Sequence, residues 1–120
     1  MVQSQINLVV LRVAEIERAL NFYRCIGLEF KKHAHGAGPE HYACQNENLV
    51  FELYPASSEN PVCASTRIGF RVEDVDAIVA RLRELQVARV ISEPKDSEWG
   101  RRAVIADPDG HRIELTKSAG

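Results

Sequence analysis

An internal repeat constrains the fold of this chain more than any other feature of its sequence. Residues 11–23 (LRVAEIERALNFY) resemble residues 70–82 (FRVEDVDAIVARL): an apolar run ends in Arg-Val, acidic residues follow, and apolar residues then recur at helical spacing. The two halves also end alike, with FELY at 51–54 and IELT at 113–116. Self-similarity of this kind indicates a repeated supersecondary unit. We therefore expect two copies of one module.

The first module is predicted to contain a strand, a helix and three further strands. Apolar residues alternate over 6–13 as in a strand, and Ile16, Ala19, Leu20 and Tyr23 then follow helical spacing until Gly27 ends the helix. The remaining strands are predicted at 28–32, 41–44 and 49–54. The second module repeats this order.

In the second module, a strand at 67–72 leads to Asp74, a residue type that caps helix N-termini. Strands are predicted at 89–91, 102–107 and 111–117. The last two are joined by a turn at Asp107-Pro108-Asp109-Gly110, where proline pre-sets the first turn dihedral and glycine accepts a positive φ. We expect one domain over residues 1–120, with modules at about 5–54 and 67–117 and a Pro/Ser-rich linker at 55–66.

Composition narrows the class of protein. The net charge is −2 with both signs interspersed, so we expect no nucleic-acid partner, and no apolar run approaches the length of a membrane span. The three cysteines, Cys25, Cys44 and Cys63, form no CxxC pair and suggest no disulfide framework. A cytoplasmic location is the expectation.

Strand alternation assigns residues to faces. Phe51 and Leu53 should pack under one helix, as should Ile113 and Leu115 in the other module. The opposite faces then carry Glu52 and Tyr54 in the first module, and Arg67 and Glu114 in the second. The strand at 6–13 is apolar on both faces, which predicts burial on both sides. The two polar faces could line a shared cleft.

With these features the sequence resembles the vicinal oxygen chelate superfamily, which contains glyoxalase I, bleomycin-resistance proteins and extradiol dioxygenases. The resemblance rests on LRVAEIERALNFYRCIGLEF, FRVEDVDAIVARLRELQV and DPDGHRIEL, and it covers nearly the whole chain. It implies an α+β fold in which two βαβββ modules form a curved, mostly antiparallel sheet around a cleft. It also implies a homodimer, often with modules paired across subunits. The activity is not implied, because this fold hosts many chemistries.

Active relatives bind a metal through one ligand from each of four strands, and the resemblance places these positions at Leu8, Glu52, Arg67 and Glu114. The metal-dependent glyoxalase pattern has histidine or glutamine at the first and third, and the fosfomycin-resistance pattern also uses histidine there. Leucine has no donor atom, and a guanidinium is a permanent cation. We therefore expect no metal and no cofactor.

Several side chains remain candidates for the site. Arg67 could bridge Glu52 and Glu114 in place of a metal, either to orient a ligand or only to tie the halves together. Either glutamate could act as a catalytic base. Tyr54 and Trp99 could stack on a flat ligand, and Tyr42 could join them. His33, His35 and His41 offer an alternative metal site, although the surrounding glycines indicate a flexible loop with exposed histidines. His111 reads as a packed or half-exposed residue at the end of a strand.

Three functions follow. The first is a metal-independent protein that binds a small organic ligand beside Glu52, Arg67 and Glu114, as bleomycin-resistance proteins do. The second is a glyoxalase-like lyase or isomerase, or a dioxygenase-like enzyme, that uses Glu52 or Glu114 for proton transfer or binds a metal through another ligand set. The third is a structural or regulatory dimer with a closed cleft.

Overall fold

The computed structural model describes residues 4–34 and 36–117, so the hypothesis for His35 lies outside the described residues. The first module contains β1 (Leu8–Val13), α1 (Ile16–Ile26), β2 (Lys31–His33), β3 (His41–Asn46) and β4 (Leu49–Pro55). The second contains β5 (Arg67–Arg71), α2 (Val75–Leu85), β6 (Arg89–Ser97), β7 (Gly100–Ala106) and β8 (Arg112–Lys117). The predicted order of elements is confirmed in both halves.

The strands form two four-stranded sheets with the same plan, ordered β1-β4-β3-β2 and β5-β8-β7-β6. In each sheet the strand before the helix pairs in parallel with the last strand of the module, and the other neighbours are antiparallel. A parallel pair needs a crossover connection, which α1 and α2 supply. The α+β fold with two βαβββ modules is thus confirmed, although the strands of the described chain form two sheets rather than one.

Local sequence explains how each helix begins and ends. Asp74 accepts a hydrogen bond from the Ala77 backbone N–H at 3.0 Å, which caps α2 as predicted. Gly27 ends α1 with a φ of 106°, a left-handed conformation that glycine adopts at little cost. The end of α1 and the start of α2 therefore lie where the sequence predicts.

The two modules share one hydrophobic core. Phe70 of β5 lies with its ring centroid 6.3 Å from that of Tyr23 in α1 and 6.0 Å from that of Phe51 in β4. Leu53, Ile113 and Leu115 are fully buried in the same core. The predicted inward faces are therefore confirmed. The helix-covered faces of both sheets pack on this core, and the alternate residues of each strand face away from it.

The prediction that β1 is buried on both sides is wrong for the single chain. Leu11 and Val13 lie in the core, but Leu8 is 52% exposed and Val10 is 40% exposed. β1 is an edge strand, and its outer face carries apolar side chains that the described part of this chain leaves uncovered. Single exposed apolar residues are ordinary, but neighbouring ones on one strand face indicate a contact surface.

The predicted turn after β7 is built around the buried carboxylate of Asp107. The carboxylate accepts hydrogen bonds from the Tyr23 hydroxyl at 2.5 Å, His111 Nδ1 at 2.8 Å and the backbone N–H groups of Asp109 and His111. Asp109 in turn accepts from the Ala14 N–H at 3.0 Å. His111 is fully buried, in agreement with the packed alternative. These bonds join the turn to α1 and to the end of β1.

This cluster also brings Asp107, Asp109 and His111 close enough together to share a metal ion. The donors already present argue against that role, because both oxygens of Asp107 accept hydrogen bonds from N–H or O–H groups. Because its lone pairs are engaged in this way, the Asp107 carboxylate stabilises the turn rather than binding a metal.

Replacing Tyr23 by phenylalanine should lower the free energy of unfolding by about 1–3 kcal/mol, because the buried Asp107 loses a hydroxyl donor. Burial, together with the nearby carboxylate of Asp107, raises the pKa of Tyr23 well above its ordinary value of 10.0. A group with a raised folded-state pKa stabilises the fold below the unfolded pKa, so the wild type should lose stability above about pH 10.

Urea denaturation at pH 7 and pH 10.5 measures both effects. Tyr42→Phe is the matched control, because Tyr42 is only partly buried and its hydroxyl forms no hydrogen bond within the described residues. Equal stabilities for the two variants at pH 7 would contradict the role given to the Tyr23 hydroxyl.

Candidate functional site

Glu114 lies in the middle of β8, on the side of the second sheet that faces away from the core. We call this side the second polar face. Its carboxylate forms ion pairs with Arg102 of β7 and, at 3.5 Å, with Arg67 of β5. The strand register explains this, since Gly69 and Val104 flank Glu114 and leave the neighbouring arginines free to reach it. Two guanidinium groups thus converge on one carboxylate.

Trp99 lies beside this cluster, in the turn between β6 and β7. Its side chain is 68% exposed, which is unusual for the largest apolar side chain. Trp99, Arg102, Glu114 and Thr116 line an open hollow of about 340 Å³, which we call the second hollow. An indole, two arginines and a carboxylate therefore share one stretch of surface.

The corresponding side of the first sheet, the first polar face, carries Glu52 in β4. Its carboxylate lies 3.6 Å from Nε2 of His41, which is nearly fully buried at 3% exposure. Glu52 also lines an open hollow of about 650 Å³ with residues of β2, β3 and β4, which we call the first hollow. This face combines a carboxylate and an imidazole rather than a carboxylate and two arginines.

A row of stacked side chains crosses the first polar face. The guanidinium of Arg12 lies 4.8 Å from the centre of the Tyr54 ring. Tyr54 stacks on His41 with centroids 4.2 Å apart and planes 6° apart, and His41 stacks on His33 at 5.7 Å. Cross-strand pairing places these residues side by side on four neighbouring strands. Tyr54 is therefore engaged within the sheet.

A single chain does not bring all the predicted site residues together. Arg67, Glu114 and Trp99 lie on the second polar face, whereas Glu52 and Tyr54 lie on the first, and the two hollows share no lining residue. The cause is the shared core, which both sheets contact with their helix-covered faces. A cleft that holds both glutamates therefore requires the first polar face and the second polar face to come from different copies of the chain or from a different pairing of the modules.

Two contributors to these faces were not identified from the sequence. Arg102 binds Glu114 because β7 pairs with β8 in a register that puts the two side chains on one face, and only the register identifies it. His41 belongs to β3 and is buried, so the expectation of exposed loop histidines is wrong for this residue. Tyr42, expected to join the ligand-stacking residues, lies on the opposite side of β3 and packs against the core.

The positions that hold a metal in active relatives do not fit a divalent ion here. Leu8 offers no donor atom, and Arg67 presents a permanent cation to Glu114 at 3.5 Å. Only the carboxylates of Glu52 and Glu114 could serve as ligands, and Arg67 and Arg102 already neutralise the second of these. A catalytic metal site needs at least three protein ligands.

Sequence comparison assigns the family. The model of the Glyoxalase/Bleomycin resistance protein/Dioxygenase superfamily matches residues 5–115. The chain belongs to this superfamily. The predicted resemblance is thereby confirmed, and so is the prediction of a glyoxalase/bleomycin-resistance-like protein.

Individual relatives cover almost the whole chain. The phenazine antibiotic resistance protein EhpR of Enterobacter agglomerans is 32% identical over 118 residues, which span 91% of this chain and 88% of that protein. TnmS3, an antibiotic binding protein from Streptomyces sp. CB03234, is 29% identical with a TM-score of 0.77, and 99% of each chain is covered. A glyoxalase family protein from Bacillus cereus, at 21% identity and a TM-score of 0.79, covers 100% and 99% of the two chains and shares the fold.

Within the described residues, neither α1 nor α2 is long and apolar enough to cross a membrane.

Proposed function

We propose that this protein binds a planar organic compound of the antibiotic type and needs no metal to do so. The observation that carries the proposal is the pair of arginines on Glu114, because Arg67 and Arg102 supply the positive charge that a metal supplies in active relatives. The carboxylate is thereby held in place without an ion. Trp99 provides an exposed ring beside it for stacking.

The relatives support the same class of function. EhpR is named for resistance to a phenazine antibiotic and TnmS3 for binding an antibiotic, and each matches this chain over nearly its full length. Sequestration requires a shaped and partly apolar surface with a few polar groups to fix orientation, and it requires no reacting group. The second hollow offers those features.

We further propose that the complete binding cleft forms between two copies of the chain. Each chain carries one hollow on each polar face, and a drug-sized ligand is mostly buried by its site, which neither open hollow achieves alone. The exposed apolar residues Leu8 and Val10 of β1, together with Ile6 just before the strand, offer a surface that a second copy can cover. In such a dimer, the first polar face of one copy lies opposite the second polar face of the other.

We place this function in the cytoplasm, without a nucleic-acid partner. The three cysteines are free thiols, and Cys44 is buried in the core, as is usual for a protein in a reducing compartment. The net charge of −2 provides no general attraction to a polyanion.

Phenazine should quench the fluorescence of Trp99, the single tryptophan of the chain, with saturation at one ligand per chain. Stacking on an exposed indole in the second hollow brings the two ring systems into contact. Trp99→Ala should weaken binding about tenfold or more, measured by calorimetry because this variant has no tryptophan, since loss of an aromatic contact costs about 1–3 kcal/mol.

Tyr42→Ala is the control in the same titration, because Tyr42 points towards the core rather than into a hollow. Binding to chelator-treated protein should match binding to untreated protein. Affinity that depends on added metal would contradict the proposal, as would unchanged affinity in Trp99→Ala.

The composite cleft predicts a dimer of about 27 kDa, twice the 13.4 kDa of one chain. Leu8→Asp should shift the protein to monomer in light scattering coupled to gel filtration, because it places a charge in the proposed interface. Leu85→Asp is the matched control: Leu85 is 50% exposed, close to the 52% of Leu8, but it lies on α2. A wild-type monomer, or equal dissociation in both variants, would rule out this interface.

Proton-transfer chemistry is a second candidate, and the contact between Glu52 and His41 favours it. A carboxylate beside an imidazole can exchange a proton with a ligand in the first hollow. The two functions differ in the fate of the ligand, because a binding protein returns it unchanged after long incubation and an enzyme does not. Mass spectrometry of the recovered ligand separates them.

A further inference from the structure

We propose that the second polar face selects ligands that carry a negative charge, so that the planar compound bound beside Trp99 is an organic anion such as an aromatic carboxylate. This inference rests on the proposed binding function and specifies the chemistry of its ligand. Neither the family match nor the names of the relatives state a charge.

The strand register shows how unequal the charges on this face are. Side chains in register with Glu114 or with its neighbours on alternate positions of β8 share its face. The charged ones are mostly basic: Arg67, Arg71, Arg89, Lys95, Arg102 and Arg112. Among the residues in this register, Glu114 is the one acidic side chain. The face therefore carries a strong local excess of positive charge in a chain whose overall net charge is −2.

Arg112 is the most informative of these cations. It lies directly beside Arg67 in the register, and its Nη1 atom is buried without a hydrogen-bond partner. No carboxylate of the described residues pairs with it, because Glu114 is engaged by Arg67 and Arg102. A buried guanidinium nitrogen without an acceptor is costly, so the positive charge of Arg112 lies uncompensated beside Arg67 and Glu114.

The charge of Glu114 cannot satisfy the whole cluster. One carboxylate shared by two arginines leaves one excess positive charge, and Arg112 adds a second. If Glu52 of a second copy faced this surface, as the proposed dimer requires, one positive charge would remain. The face is therefore still suited to an anion when the cleft is assembled.

The geometry of the guanidinium groups favours a carboxylate as the anion. Their planar arrangement of N–H donors matches the two oxygens of a carboxylate, and the fork can bind both at once. Trp99 and Arg102 line the same hollow, so a flat ring on the indole carries a carboxylate within reach of an arginine. In this arrangement Glu114 is a positioning residue that holds Arg67 and Arg102 towards the ligand.

A matched pair of probes tests this inference: phenazine-1-carboxylate and its neutral isostere phenazine-1-carboxamide. At pH 8 and low salt, Trp99 quenching should show the carboxylate bound about tenfold or more tightly than the amide. Arg112→Gln should reduce this preference severalfold and leave amide binding nearly unchanged, because Arg112 contributes positive charge to the face but does not line the second hollow. Because Arg112 forms no ion pair in the described chain, the substitution breaks no salt bridge.

Arg81→Gln is the control, since it removes the same charge from an exposed position on α2. The expected result is a preference for the carboxylate that survives Arg81→Gln and falls severalfold in Arg112→Gln. Equal affinity for the two probes would overturn the inference and leave the proposed binding function standing. Failure of both probes to bind the wild type would overturn the binding function and the inference together. A preference that is undiminished in Arg112→Gln would overturn the part given to Arg112.

Discussion

Phe70 of β5 packs against Phe51 of β4 and Tyr23 of α1, and this aromatic contact joins the two modules in one core. Because both sheets contact the core with their helix-covered faces, strand alternation turns both polar faces away from it. Burial of large aromatic side chains is a major source of folding free energy, so the contact also fixes this orientation firmly. The separation of Glu52 from Glu114 within one chain follows from this packing.

Much of the fold was predictable because the repeat, the apolar periodicity and the turn residues all indicate the same structure. Gly27, Asp74 and the turn at Asp107 behave as local chemistry dictates. β6 was predicted as three residues but extends over nine, Arg89–Ser97. Its register shifts in two places, which interrupts the alternation that identifies a strand. The burial of β1 on both sides was inferred from its composition, which cannot show whether a covering partner belongs to the same chain.

The site was less predictable than the fold for a related reason. Which side of a strand a residue occupies follows from alternation, so Glu114 and Arg67 could be assigned to a polar face. Which residues meet across strands depends on register, and this is why Arg102 and the stacking of Tyr54 on His41 emerged only from the structure. Whether the polar faces form a cleft depends on how the modules pair within or between chains. No local sequence pattern specifies that pairing.

The family match allows the four metal-ligand positions of active relatives to be compared with the residues of this chain. A scaffold shared with metal-dependent enzymes retains both carboxylates, while a leucine and an arginine occupy the positions of the nitrogen ligands. At Glu114 two guanidinium groups supply positive charge without an exchangeable ion. A polar surface with an exposed ring and without a complete set of metal ligands suits the binding function proposed above.

The central claim is that arginine replaces the metal at Glu114, and metal content tests it most directly. Wild-type protein and the Leu8→His/Arg67→His double variant, purified without chelators and dialysed against Zn²⁺ or Ni²⁺, can be compared by plasma mass spectrometry. We predict well below one ion per chain for the wild type and close to one ion for the double variant, because two histidines and two carboxylates complete a ligand set. Stoichiometric metal in the wild type that is lost in Glu114→Gln would contradict the account.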